Sequence, residues 1–458
     1  MSKATPLPSL TVSFFWTLAG SVAYAGSQWA MIVLFAKLGN PAMVGQYSFA
    51  AAVAYPISLL ANLQLRIVFI NDREDRYPFR RMLGAKYLLL ALAWMVLPCI
   101  CLCIRASWHT TSLILVVGTA MLIDSLTDSY YAILQKCERM DRISRSQMLR
   151  SGVCLALSAA ALYATRSAIW AVCGLLFGRF LVLFFFDTMP ETFRIGYSTG
   201  TIKDGLERVK LSRARFQPHW DLRTQWQMIW LAAPLGVVAV LGSFNLNIPR
   251  YVIEHYLGAR ELGIYSALSY LPYAALLFAS ALGYVTSARL GKLYYERDIH
   301  GFKTLLGRMV LIAAALGVAG FLLSAVAGRE ILRILYRPEY ATHLDLLLWL
   351  VATAAVTCFA TCVGVAMTAA SQFRPQIPLF LVVSVVSITL SFLLVPRLGL
   401  NGAAIASLAS VTVLTLGSYW IVRRALARRM AEVEENTDDS MIADRRAAEP
   451  DLALSDPV

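Results

Sequence analysis

Between Gly242 and Pro272 the chain reads GSFNLNIPRYVIEHYLGARELGIYSALSYLP. Apolar sequence flanks the stretch on both sides, yet it carries Asn245, Asn247, Arg250 and Glu254. Ser243, Asn247, Arg250 and Glu254 stand at i, i+4, i+7 and i+11, a spacing that places all four on one face of a helix. A charge well inside an apolar helix is costly and normally faces a bundle interior or a water-filled cavity. Pro249 removes a backbone donor beside Arg250 and marks a candidate hinge. The stretch closes with Leu257-Gly258, a short polar link and Gly263-Ile264-Tyr265-Ser266.

That ending occurs twice. Leu38-Gly39 is followed by Gly45-Gln46-Tyr47-Ser48, with one extra residue between the pairs, and Pro56 follows the first copy as Pro272 follows the second. The copies lie roughly 218 residues apart, nearly half the chain, a period that reads as a duplicated half. Pro56 and Pro272 join Pro249 as candidate hinges.

The chain has 458 residues, 58% hydrophobic and only 15% charged, where a soluble domain is about 25% charged. This composition is that of an all-α polytopic membrane protein. The net charge of +13 does not point to nucleic acid, because Lys and Arg sit in short links between apolar runs, where they act as topology signals. The eight cysteines lack histidines at metal-ligand spacing and read as small apolar packing residues, so neither a metal nor a cofactor is expected. Ala23-Tyr24-Ala25 looks like a signal-peptide cleavage site, but the apolar run continues to Ala36 and into the first repeat copy, which favours a retained first span.

About twelve spans of membrane-crossing length follow. They lie near 10–36, 44–70, 84–104, 111–135, 148–165 and 168–187, then near 226–256, 262–287, 307–327, 345–371, 377–395 and 402–422. One set of links is rich in Lys and Arg: Arg73 to Arg81, Lys136 to Arg145, Lys203 to Arg223, Arg289 to Arg308 and Arg423 to Arg429. The opposite set holds little beyond Lys37, Arg105, Arg166, Arg260, the arginines between 329 and 337, and Arg397. This bias places both termini in the cytoplasm, and six spans per half make the halves parallel repeats. The expected organisation is a six-helix lobe over 1–187, a basic cytoplasmic linker over 188–225, a second six-helix lobe over 226–430, and a disordered acidic cytoplasmic tail over 431–458. The linker carries a candidate basic surface helix at 202–211, with Trp220, Trp226 and Trp230 near the interface, and reads as a tether on anionic membrane lipids.

Other spans repeat the polar stripe. Thr17, Ser21, Tyr24 and Gln28 share a face of the first span, and Tyr55, Asn62 and Arg66 a face of the second. Asp124, Asp128, Tyr131 and Gln135 share a face of the fourth, and Ser266, Tyr270, Tyr273, Ser280 and Tyr284 one of the eighth. Stripes of this kind serve either as hydrogen-bond glue between helices or as the lining of a polar cavity. Arg66 lies near a helix end and either snorkels or lines the cavity. Arg179, roughly 12 Å inside its span, is a candidate partner for Asp124 or Asp128. Those aspartates carry either a coupling proton or cation, or a structural pairing with arginine. Arg250 either lines a cavity or pairs locally with Glu254.

No Walker loop or HExxH occurs, the one GxSxG match, Gly196-Tyr197-Ser198-Thr199-Gly200, falls in the polar link between the halves, and no outer link is large enough for a separate catalytic domain, so an enzyme is not expected. Four segments carry a family likeness: Asn62-Leu63-Gln64-Leu65-Arg66; Asp124 through Gln135 leading into Glu138-Arg139-Met140-Asp141; Asn247-Ile248-Pro249-Arg250-Tyr251 with Leu257-Gly258 and Gly263-Ile264-Tyr265-Ser266; and Leu398-Gly399-Leu400-Asn401-Gly402-Ala403-Ala404. In order and spacing they resemble Wzx-type oligosaccharide flippases, of the polysaccharide-transporter branch of the MATE-like (MOP) superfamily, over about residues 10 to 425. The resemblance implies two lobes in a V, alternating access, and export of an undecaprenyl-pyrophosphate-linked oligosaccharide across the bacterial inner membrane for O-antigen, capsule or exopolysaccharide. It also implies a polysaccharide polymerase and chain-length machinery as partners. Carried onto this chain, it makes Arg66 and Arg250 candidate cavity cations, beside Asn247, Gln28, Tyr24 and Asn62, with Asp124 and Asp128 conditional. Lipid II flippases of the superfamily have two more helices, for which this chain has no room. The alternatives are a MATE-type antiporter of cationic drugs, whose cavity should be net acidic, and a membrane polymerase or ligase, which should expose larger outer loops.

Overall fold

A computed structural model describes residues 10–72, 76–188, 218–372 and 375–448. All regular structure among them is helical. The first half holds α1 (Leu10–Leu38), α2 (Pro41–Asn62), α3 (Leu65–Asn71), α4 (Phe79–Cys103), α5 (Trp108–Lys136), α6 (Met140–Thr165) and α7 (Ala168–Val182), which ends in a π-helical turn at Leu183–Asp187. The second holds α8 (Leu222–Tyr270), α9 (Tyr273–Tyr295), α10 (Ile299–Leu335), a 3-10 turn at Pro338–Thr342, α11 (Leu344–Ala369) and α12 (Gln376–Ala448). The basic surface helix expected at 202–211 lies outside the described residues.

Among the described residues, ten helical stretches are long and apolar enough to cross a membrane. Two of them contain a glycine with non-helical backbone: Gly258 in α8 (φ 84°, ψ 178°) and Gly399 in α12 (φ 60°, ψ −137°). Positive φ at these angles is open to glycine and strained for other residues, so the sequence itself sets both breaks. Each break divides its stretch, and α9 follows α8 in the chain after the turn at Leu271-Pro272. The expected span at 44–70 is likewise divided, by Leu63 and Gln64 in the left-handed region. Some helix starts carry local caps. The Asn40 side chain accepts from the Met43 amide with Pro41 opening α2, and Asp221 accepts from Thr224 at the start of α8.

Two expectations need correction. The stretch from 431, read as disordered, is helical in its backbone to Ala448, as its Ala, Glu and Arg content favours. Several helices also run past the expected spans: α6 starts at Met140 rather than near 148, and α10 covers Ile299–Leu335 rather than 307–327. Hydropathy ends where the hydrocarbon would end, whereas backbone hydrogen bonding continues into polar sequence.

Large apolar side chains point outward. Leu102, Trp108 and Val326 are 77%, 86% and 88% exposed, a surface suited to lipid rather than water. Trp220, Trp226 and Trp230 are exposed as well.

Backbone proximity groups the chain into two compact units. The first comprises Met1–Leu271, Ala327–Leu346 and Ser387–Ala406; the second comprises Pro272–Val326, Leu347–Val386 and Ser407–Val458. The core of the second unit is built on Leu290, Phe302, Met309, Cys358, Cys362 and Ala366. The first unit centres on Leu65, Phe69, Phe79, Met82, Tyr130 and Met228. Within the first unit the two sets of links separate to opposite ends. At one end Arg166 and Arg337 donate to the carbonyls of Leu38 and Lys37, Lys37 donates to Ile334, and Arg260 pairs with Glu339. At the other, Lys136 donates to the Asp72 carbonyl, His219 to that of Arg80, and Arg81 pairs with Asp221.

Both copies of the repeated motif lie in the first unit and meet each other there. Tyr47 and Tyr265 are buried alike, as are Ser48 and Ser266. Gly45 and Gly263 cross backbone to backbone: a Cβ on Gly45 would strike the Ala259 carbonyl, and one on Gly263 the Pro41 carbonyl. Pro41 precedes Gly45 by the same four residues by which Ala259 precedes Gly263. Each copy therefore meets the other through equivalent positions, and the two glycines let the helices approach closely.

Candidate functional site

The polar stripe of α8 survives in the structure as one connected row. Asn247 is buried, and its Nδ2 donates to the Ser243 carbonyl at 2.9 Å. Its Oδ1 accepts from Arg250 Nη1 at 2.8 Å, and Arg250 Nη2 reaches Ser269 Oγ at 3.5 Å. Arg250 makes no ion pair among the described residues, and its Nε has no acceptor. Glu254 Oε2 is also buried without a partner, so the local Arg250–Glu254 pair is not formed here. Helical backbone continues through Pro249 and Pro56, Pro272 stands in the turn before α9, and the break within α8 falls at Gly258.

α5 carries a second row, and every member meets a partner. Asp124 Oδ1 accepts from Arg150 Nη1 at 2.9 Å, while Oδ2 lies 2.9 Å from Arg179 Nη1, off the direction of a hydrogen bond. Asp128 Oδ1 accepts from Arg66 Nη1 at 2.6 Å, and Gln135 Oε1 accepts from Arg66 Nε at 2.6 Å. The Tyr131 hydroxyl bonds Ser146, and its ring centroid lies 5.8 Å from the guanidinium carbons of both Arg66 and Arg150. Arg150 Nη2 donates to Asp187 Oδ2 at 2.7 Å, and Ser146 donates to the other oxygen of Asp187. Nearby, Lys86 is 1% exposed and donates to Asn62 Oδ1 at 2.9 Å, Ser125 Oγ at 3.1 Å and the Ala61 carbonyl at 3.4 Å. Four cations thus stand against three carboxylates in this cluster.

The candidates from sequence fall into separate groups. Arg66 joins Asp128, Asn62 joins Lys86, Asn247 joins Arg250, and Arg179 joins Asp124. Tyr24 and Gln28 of α1 line a cavity of about 20 Å³ together with Arg150, Ser151, Cys154 and Arg179. Sequence reasoning missed Lys86, Arg150 and Asp187. Lys86 and Arg150 stand close to the expected ends of their spans, but α4 and α6 begin at Phe79 and Met140, which puts the charges about two and about three turns inside their helices. Asp187 lies at the last residue of the π-helical turn, where the chain still faces inward.

Solved structures with this arrangement of helices are membrane transporters. An inward-facing multidrug resistance MATE family transporter of the MOP superfamily superposes with a TM-score of 0.67 at 15% identity, covering 90% of this chain and 95% of that one. The chain shares the fold of that protein. The lipid II flippase MurJ, in its inward closed conformation, superposes with a TM-score of 0.66 at 15% identity, covering 92% of this chain and 89% of MurJ. In sequence, the chain is 25% identical over 417 residues to the capsular polysaccharide biosynthesis protein CapF of Staphylococcus aureus, spanning 90% of this chain and 99% of CapF. No family model matches the chain.

Proposed function

We propose that the chain is a flippase that moves an undecaprenyl-pyrophosphate-linked oligosaccharide across the bacterial inner membrane by alternating access, and is not an enzyme. The observation that carries this reading is Arg250, a half-buried cation eight residues before the Gly258 break of α8 that meets only the neutral Asn247 and Ser269. An unpaired guanidinium at that depth suits a phosphate, whose oxygens match its planar fork. Similarity to CapF along nearly the whole chain supports a polysaccharide cargo. A membrane potential negative inside favours outward movement of an anion by about 2.3 kcal/mol per charge per 100 mV. In this reading residues 1–187 and 226–430 are the two lobes, both termini are cytoplasmic, Pro249, Pro56 and Pro272 are hinges, and a polymerase with its chain-length machinery receives the product. The alternative, an antiporter of organic cations, is disfavoured by the excess of cations over carboxylates around α5.

Arg250→Ala should abolish surface polysaccharide at an unchanged protein level in the membrane. Arg250→Lys should recover part of the export, and Arg250→Glu should do worse than alanine. Full export by a well-expressed Arg250→Ala protein would end the assignment.

A further inference from the structure

We propose that the cavity between α1, α6 and α7 is a binding site for one small monovalent anion of the chloride type. This inference is independent of the transport reading. At about 20 Å³ the cavity has room for one or two water-sized particles. Its walls carry two guanidiniums, from Arg150 and Arg179, and no carboxylate. The carboxylates that balance these arginines, Asp124 and Asp187, engage the terminal nitrogens of Arg150 and leave its Nε with no acceptor, although Arg150 is only 6% exposed. Ser151, 9% exposed and on the same wall, also has an unpartnered hydroxyl. Arg179 Nη1 meets Asp124 off the hydrogen-bond direction, so that donor too is poorly used.

A guanidinium has donors only, and a buried donor left without an acceptor is costly. The ligand that suits this wall accepts hydrogen bonds and donates none. A halide does so from several directions at once, with Gln28 and Tyr24 supplying further donors from α1. A metal cation is disfavoured because it would face two fixed positive charges with no carboxylate among its contacts. The dimensions separate this site from a pyrophosphate-sized cargo. Water is the competing occupant, and it would show no preference among salts.

The test is binding of radiolabelled chloride to the purified full-length protein in detergent, in gluconate buffer of constant ionic strength. Saturable binding of one chloride per chain, displaced by bromide and not by gluconate, is expected. Ser151→Leu, which fills the cavity while leaving the ion pairs in place, should abolish binding. Ser151→Ala, which removes one donor and little volume, should weaken it about tenfold, the worth of roughly one hydrogen bond, and it carries the test if the leucine variant does not elute as a monodisperse protein. Absence of saturable binding by the unmodified chain, or unchanged binding by a folded Ser151 variant, would overturn the site.

Discussion

Gly45 and Gly263 offer a quantitative test of the repeat. A Cβ built on Gly45 lies 2.6 Å from the Ala259 carbonyl carbon and 3.0 Å from the Gly263 nitrogen, with the Ala259 oxygen closer still. One built on Gly263 lies 2.8 Å from the Pro41 carbonyl carbon and 2.9 Å from the Gly45 nitrogen, with the Pro41 oxygen closer still. Ordinary contact begins near 3.4 Å, and the obstructing atoms are backbone, so neither clash is relieved by turning a side chain. The two helices must part by about 1 Å or more, which forfeits packing along the crossing, and overpacking of this kind costs about 1–3 kcal/mol. Gly45→Ala and Gly263→Ala should each destabilise by that amount. Their effects should not add: once the first methyl has separated the helices, the second enters space already opened, and the double variant should fall short of the sum by about 1 kcal/mol. Gly152→Ala is the control, since its Cβ would meet nothing within 4 Å, and helix propensity alone should make it neutral or stabilising by up to about 1 kcal/mol. Thermal unfolding followed with a thiol-reactive dye reads the outcome, because Cys101, Cys137 and Cys154 are buried in the first unit. If Gly45→Ala is as stable as the unmodified protein, or if the two glycine substitutions add fully, the direct crossing of the repeat copies is refuted.

Removing one partner of the Arg66–Asp128 pair should lower membrane abundance by the equivalent of about 1–3 kcal/mol, less than for a fully buried pair because the side chains keep 25% and 22% exposure. The double change Arg66→Met with Asp128→Leu should recover much of that loss, as quantitative blotting would show. Gly258→Ala forces a side chain into backbone space open to glycine and should cost about 1–3 kcal/mol by the same dye assay, with no comparable cost for Gly26→Ala, whose Cβ meets nothing. Reporter fusions at residues 40, 108, 260 and 398 should appear outside and those at 78, 210 and 435 inside; an outside signal at 210 would contradict the proposed two-lobe topology.

Much of the fold is legible in the sequence because a membrane imposes one strong rule, long apolar helices, and hydropathy reads that rule directly. The Leu-Gly…Gly-x-Tyr-Ser repeat reads in the sequence as a duplicated half; that its two copies touch is visible only in the structure. What hydropathy cannot locate is a helix end that lies beyond the hydrocarbon. The extra turns of α6 and α10, and the helical backbone after residue 430, arise from helix propensity in polar sequence, which carries no apolar signal. The break at Leu63-Gln64 has no glycine to announce it.

The polar stripes are legible as faces, since i, i+4, i+7 and i+11 is geometry, but their partners are not, since partners come from other helices. Asp124 and Asp128 look alike in sequence. In the structure one is shared by Arg150 and Arg179 and the other is taken by Arg66. That difference separates the two cavity cations expected from sequence. A phosphate approaching Arg66 must compete with a carboxylate 2.6 Å away and with Gln135 on the same guanidinium. A phosphate approaching Arg250 displaces at most the neutral contacts to Asn247 and Ser269. Lys86 hydrogen-bonds only neutral groups, but it lies in the field of Asp128, and at 1% exposure no cargo reaches it. Of the cations near the polar stripes, Arg250 therefore combines accessibility with the absence of a competing acid, and on that ground the cargo reading rests on Arg250 before Arg66.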